Sequence, residues 1–151
     1  MIYIAYSAVL LLTYILQTTL LSLPLRPELM LIVFCLFWSG KKHQALWGGL
    51  LTGFFLDFFN GYSFYNSLLY VLVSLLCGYM PVSIFRNYKT LVLVNLLISS
   101  VILNIGYAIL SRIFSGKFIF VYFWYYPLVV ILNLVFFYLL YWLFWRRKHG
   151  Q

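Results

Sequence analysis

Residues 3–23, YIAYSAVLLLTYILQTTLLSL, contain no charged side chain, and roughly 20 such residues are what a helix needs to cross a bilayer. Further apolar runs follow, separated by short basic clusters. The chain is 66% hydrophobic and only 8% charged, whereas a soluble domain typically has about a quarter of its residues charged. There is too much apolar surface here for one water-facing core to hide, so the expected solvent is lipid. The expected class is an all-α polytopic membrane protein, with residues 1–151 forming a single transmembrane domain. The N-terminal run lacks both a basic leader and a small-residue cleavage site, which points to a retained helix.

Six spans are expected, at residues 3–23, 27–39, 44–60, 66–85, 91–111 and 127–145. Pro27 suits a first helical position, and Glu28 beside it complements the helix N-terminus. At ~1.5 Å per residue the second span reaches only ~20 Å, so it requires a thinned bilayer or a shield of other helices. The third ends in an Asn-Gly turn signal, and Pro81 is expected to kink the last turns of the fourth. FIFVYFWYY (118–126) and YWLFW (141–145) are aromatic belts suited to the two headgroup regions.

The net charge of +8 is spread as juxtamembrane clusters, with no stripe that could track a nucleic acid; anionic lipid is the expected partner of these charges. With both termini cytoplasmic, the inner side holds Lys41, Lys42, Arg86, Lys89, Arg146, Arg147 and Lys148, and the outer side holds Arg26, Arg112 and Lys117. That asymmetry satisfies the positive-inside tendency. Cys35 and Cys77 lie within apolar runs, without metal-ligand spacing, and read as buried free thiols.

GGLLTGFFLDFFNG (48–61) holds one of the chain's two acidic residues. Residues four apart on a helix drift by about 40°, so Gly49, Gly53, Asp57 and Gly61 form one slowly turning stripe. Small residues at that spacing let a second backbone approach closely; the approaching helix is either another segment of this chain or one from a partner. Asp57 lies ~21 Å along the axis from His43, in the outer part of the membrane, where a lipid-facing carboxylate is unfavourable. It is therefore expected to point inward, either neutral and hydrogen-bonded or paired, with Arg112 the candidate for a cationic partner. Ser67, Ser74 and Gly78 give the fourth span a similar small-residue face. The fifth carries Asn95, Ser99 and Gly106 on one face and Ser100 and Asn104 on the other, which implies helix neighbours on both sides. Gln17, Thr18 and Thr19 close the first span.

None of these groups forms a catalytic constellation. An aspartyl mechanism needs two carboxylates at one site, and Asp57 is the only one in the interior of a span, Glu28 standing at the head of the second. His43 and His149 lie among basic residues without Cys, Asp or Glu at ligand spacing. No glycine-rich nucleotide loop is present. No metal, cofactor or reaction is expected.

The order of LQTTLL (16–21), RPELMLIVF (26–34), GGLLTGFFLDFFNG (48–61) and CGYM (77–80) resembles the bacterial rod shape-determining protein MreD family over residues 15–80. Beyond that, the remaining spans, Pro127 and the basic tail match in kind. Gly53, Asp57 and Gly61 fall on the family's Gly-xxx-Asp-xxx-Gly pattern. After that turn the chain has Ser63 and Tyr65 where the family usually shows Pro and a second Gly. The resemblance implies a non-enzymatic, inner-membrane scaffold of the cell-wall elongation machinery, holding the transmembrane helix of MreC. RodA, a class B penicillin-binding protein and MreB would stand alongside, in support of peptidoglycan synthesis and cell shape.

MreD proteins are also similar in fold to the substrate-capture subunits of energy-coupling-factor vitamin transporters, which sets the alternative. Capture requires an outer pocket with several convergent polar groups, for which Asp57, Asn60, Asn66 and Trp124 are the candidates. The Ala-xxx-Ala contact expected of such a subunit's first helix is not matched by Ala5 and Ala8, three apart.

Overall fold

The computed structural model describes residues 2–19, 28–60, 64–85, 87–115 and 125–142. Among them are six α-helices: α1 (Ile2–Thr19), α2 (Leu29–Trp38), α3 (Lys42–Asn60), α4 (Tyr65–Tyr79), α5 (Tyr88–Ser115) and α6 (Tyr125–Leu140), with a 3-10 turn at Val82–Ile84. A helix satisfies its own backbone hydrogen bonds, so it is the natural form for long apolar runs that no water will solvate. Two of these helices, at Ile2–Thr19 and Tyr88–Phe114, are long and apolar enough to cross a membrane.

The shortest helix is the centre of the molecule. Every residue of α2 is buried except Phe37, and α2 packs against α1, α3, α4, α5 and α6. Ten residues rise only ~15 Å, about half of the ~30 Å hydrocarbon thickness of a bilayer. Its uniformly apolar sequence, LMLIVFCLFW, offers no polar face to water and is enclosed on all sides by neighbours. Trp38 anchors its end: Tyr3 stacks on the indole with centroids 5.4 Å apart, and Tyr6 meets it edge-on at 5.0 Å.

The turn after α2 depends on one glycine. Gly40 adopts φ +76°, in the left-handed region that side chains disfavour, and a Cβ there would lie 2.8 Å from Val82 Cγ2. Its N–H donates to the carbonyl of Cys77 at 2.9 Å, tying the α2–α3 turn to the end of α4. Lys41 follows with its ammonium 5.5 Å from the Trp38 ring centroid, and partial burial lowers its pKa below the ordinary lysine value.

The limits of α4 and α5 differ most from those expected, and α6 begins at Tyr125, two residues before Pro127. α4 does not run to residue 85 with a kink: it stops at Tyr79, Met80 is extended at ψ 121°, and Pro81 leads into the 3-10 turn. Proline disfavours helical geometry in the residue before it and lacks the N–H to continue the ladder. α5 is longer than residues 91–111, beginning at Tyr88, where the Asn87 carbonyl accepts from the N–H groups of Thr90 and Leu91. Its 28 residues span ~42 Å, more than the hydrocarbon alone requires. The belts at 118–126 and 141–145 lie largely outside the described residues, as do the basic residues Arg26, Arg86, Lys117, Arg146, Arg147 and Lys148.

Candidate functional site

The glycine stripe of α3 faces α4. Gly53 is pressed against the Cα of Ser67, and a Cβ on it would also lie 2.7 Å from the carbonyl oxygen of Asn66. At Gly49 an added Cβ would meet the Tyr70 carbonyl and the Cβ of Ser74, each at 2.6 Å. At the other end, a Cβ on Gly78 would come within 3.0 Å of both Ala45 Cβ and the Lys42 carbonyl. Ala45, Gly49, Gly53 and Asp57 of α3 thus run antiparallel to Gly78, Ser74, Ser67 and Asn66 of α4. The backbones touch because neither helix places bulk between them. Gly61 lies outside the described residues. Ala45 continues the same four-residue spacing and was legible by extending the stripe backward.

The seam ends at Asp57, which is buried at 8% exposure. Its Oδ1 accepts from the backbone N–H and the side-chain amide of Asn66, both at 2.9 Å. Its Oδ2 accepts from the N–H of Ser67 at 2.8 Å and its hydroxyl at 2.6 Å. Those two N–H groups belong to the first turn of α4, which cannot find partners within the helix. Phe64, in the capping position, is left-handed at φ 58° and supplies no side-chain cap. Asp57 therefore caps α4 from the preceding helix, where the positive end of the helix dipole favours a carboxylate. Tyr107 of α5 donates to Asn66 Oδ1, extending the cluster to a third helix.

Of the two environments expected for Asp57, the arrangement is the hydrogen-bonded one, and the ion pair with Arg112 is corrected. The four donors on Asp57 come from Asn66 and Ser67, whereas Arg112 lies exposed near the end of α5. Depth along the helix axis placed the two residues at a similar level, but depth does not fix which helix face meets which.

The other polar residues divide the bundle into three local ties. Asn95 donates to Ser39 Oγ at 3.0 Å, and Ser99 sits 3.4 Å from Cys77 Sγ, so this face of α5 looks toward α4 and the α2–α3 turn. Gly106 on the same side lies against the Leu69 side chain. On the opposite side Ser100 accepts from Asn133 of α6 at 3.1 Å, and Asn133 Oδ1 accepts from the Glu28 N–H at 2.7 Å. Two polar faces with two sets of neighbours is what the alternation in α5 implied. Asn133 was missed, although a lone amide in PLVVILNLVFFYLL carries the same signal as Asn95. The third tie joins α1 to α3: Thr52 donates to the Gly48 carbonyl, so Tyr6 donates to Thr52, at 2.6 Å.

Some polar atoms are not brought together. Gln17 Oε1, Asn95 Oδ1 and Asn104 Nδ2 are enclosed without a hydrogen-bond partner. Thr18 and Thr19 bond back to carbonyls of their own helix, as Ser74 does to Val71. Cys35 and Cys77 are free, buried thiols, and they are neighbours, with sulfurs 4.0 Å apart. Among the described residues no three His, Cys, Asp or Glu side chains gather as metal ligands.

Comparison with protein-family models, curated proteins and solved structures gives no significant match. Fold and site therefore define a class on their own: a chain helical throughout its described elements, two of whose helices are long and apolar enough to cross a membrane, with a buried carboxylate committed to capping a neighbouring helix.

Proposed function

We propose that this chain is a non-catalytic, multi-pass scaffold of the bacterial cytoplasmic membrane, of the MreD type. In this reading it binds the transmembrane helix of an MreC partner within the cell-wall elongation complex, alongside RodA, a class B penicillin-binding protein and MreB. All six helices lie in the bilayer as a bundle similar to energy-coupling-factor capture subunits, with both termini cytoplasmic. The short α2 is tolerated because other helices, not lipid, surround it.

The observation that carries this reading is where the polar groups are spent. Asp57, Asn66 and Ser67 bond to one another, and Asn60 accepts from Tyr14 at 3.3 Å. Three of the four groups expected to line an outer ligand pocket are thus engaged in holding helices together, which supports scaffolding over solute capture; the fourth, Trp124, lies outside the described residues. The small-residue seam is filled by α4, so a partner helix has to dock on outward apolar faces. α1 offers Ile4, Leu11, Leu12 and Ile15, and α5 offers Val101, Ile105 and Ile109, all exposed.

The test is affinity purification of the tagged full chain from detergent-solubilised membranes, followed by mass spectrometry. Cysteine crosslinking from Leu11→Cys and Ile105→Cys then maps the face. The scaffold reading expects an MreC-type protein, crosslinked through one of these faces. Recovery of an ATPase pair with a membrane coupler, in its place, establishes the capture reading.

A further inference from the structure

A second feature lies at the other end of the bundle from Asp57. Between the amino end of α5 and the outward side of α6 is an open groove of about 870 Å3, lined by Lys89, Ile131, Leu134, Val135, Tyr138 and Trp142 among others. Its two ends differ in chemistry. At one, the half-buried Lys89 places its ammonium 4.5 Å from the ring centroid of Tyr138 and 5.1 Å from that of Tyr141. At the other, Ile131, Leu134 and Val135 present only hydrocarbon. Along α6 the advance from Ile131 to Tyr141 is ~15 Å, the depth of one leaflet of a ~30 Å hydrocarbon core.

Among the described residues, Lys89 is the one charged side chain along this lining. Its flanking tyrosines stabilise the cation by their ring faces and, with Trp142, make the kind of aromatic collar that sits at headgroup level. A lipid matches this division into a cationic, aromatic end and an aliphatic one, whereas the α1 and α5 residues offered above to a partner helix are all aliphatic.

We propose that the groove seats one anionic glycerophospholipid, its phosphate on Lys89 and one acyl chain along Ile131, Leu134 and Val135. The lipid belongs to the leaflet at the amino end of α5, the cytoplasmic one under the positive-inside orientation. This site rests on the multi-span reading proposed above and is independent of MreC binding.

Native mass spectrometry of the full chain in mild detergent, with added phosphatidylglycerol or phosphatidylcholine, tests the site. The wild type is expected to retain one phosphatidylglycerol in preference to phosphatidylcholine. Lys89→Gln should cut that retention about fivefold, the weight of one basic contact at a membrane surface. Val135→Trp, which fills the aliphatic end and leaves Lys89 in place, should abolish it with helicity by circular dichroism unchanged. Equal retention by wild type and both variants overturns the proposal. So does loss of the lipid on deleting residues 143–151 while Lys89→Gln has no effect, since the tail alone would then hold it. High-yield crosslinking between two copies through Val135→Cys in membranes also overturns it, because a second chain would cover the groove. Release of the chain by an alkaline wash of the membranes sinks the multi-span reading itself, whereas a chain that stays but retains no phosphatidylglycerol refutes only this site.

Discussion

The α3–α4 and α5–α6 pairs are both antiparallel neighbours built from similar apolar residues, yet they meet in different ways. Along α3–α4, small residues recurring every four positions on α3 face Ser67, Ser74 and Gly78 of α4, and the backbones come into direct contact. Along α5–α6, one amide–hydroxyl bond between Asn133 and Ser100 joins the helices, and Phe137 of α6 is buried beside it in sequence. Beyond them the bulky side chains of α6 splay outward, leaving an open groove. Small spaced residues close a seam to everything outside the chain; large ones at the same separation leave a space that lipid can fill.

The contrast breaks most severely at Gly53. Its obstruction is backbone, the Ser67 Cα and Asn66 carbonyl, which cannot rotate away. Gly53→Leu is expected to cost more than about 3 kcal/mol, the upper end for overpacking, read as a loss of thermal stability in detergent. Asp57→Ala comes next, at about 2–3 kcal/mol, since it strips the acceptor from two first-turn N–H groups and two side chains. The exchange Asp57→Arg with Arg112→Asp should restore none of that loss, because the donors on Asp57 are Asn66 and Ser67. Asn133→Ala probes the looser pair and should cost about 1 kcal/mol, as hydrogen bonds between membrane helices do. The smallest effect is expected at Gly106→Ala, under about 1 kcal/mol: the added methyl meets the end of the Leu69 side chain, which can change rotamer. If Gly106→Ala proves as harmful as Gly53→Leu, the distinction between backbone and side-chain contacts has no energetic meaning here.

Much of this architecture was legible in the sequence because apolar run length and proline or glycine punctuation mark helices directly. The six segments, the need for the short second helix to be shielded and the two-sided polarity of α5 all follow from such patterns. The stripe of Gly49, Gly53 and Asp57 was visible too, but whether α4 or a foreign helix fills it depends on tertiary packing that spacing alone does not encode. Between a hydrogen-bonded and a cation-paired Asp57 the sequence did not decide, and Arg112 was the wrong candidate for a related reason. A carboxylate in an apolar run suggests a cation, whereas the first-turn N–H groups of a helix carry equivalent positive character without any residue letter to announce them. Similarly, nothing in their separation of 42 residues marks Cys35 and Cys77 as neighbours. Lys89 read as a generic juxtamembrane charge until the rings of Tyr138 and Tyr141 were found around it.

The most direct measurement of the internally closed seam is oxidative crosslinking of Ala45→Cys with Gly78→Cys, in a chain carrying Cys35→Ser and Cys77→Ser. The position of a Gly78 Cβ, 3.0 Å from that of Ala45, is close to the separation a disulfide bridges after slight relaxation. In native membranes, rapid formation of a disulfide within one chain is expected. A pair that stays reduced, or that links two chains, contradicts the account.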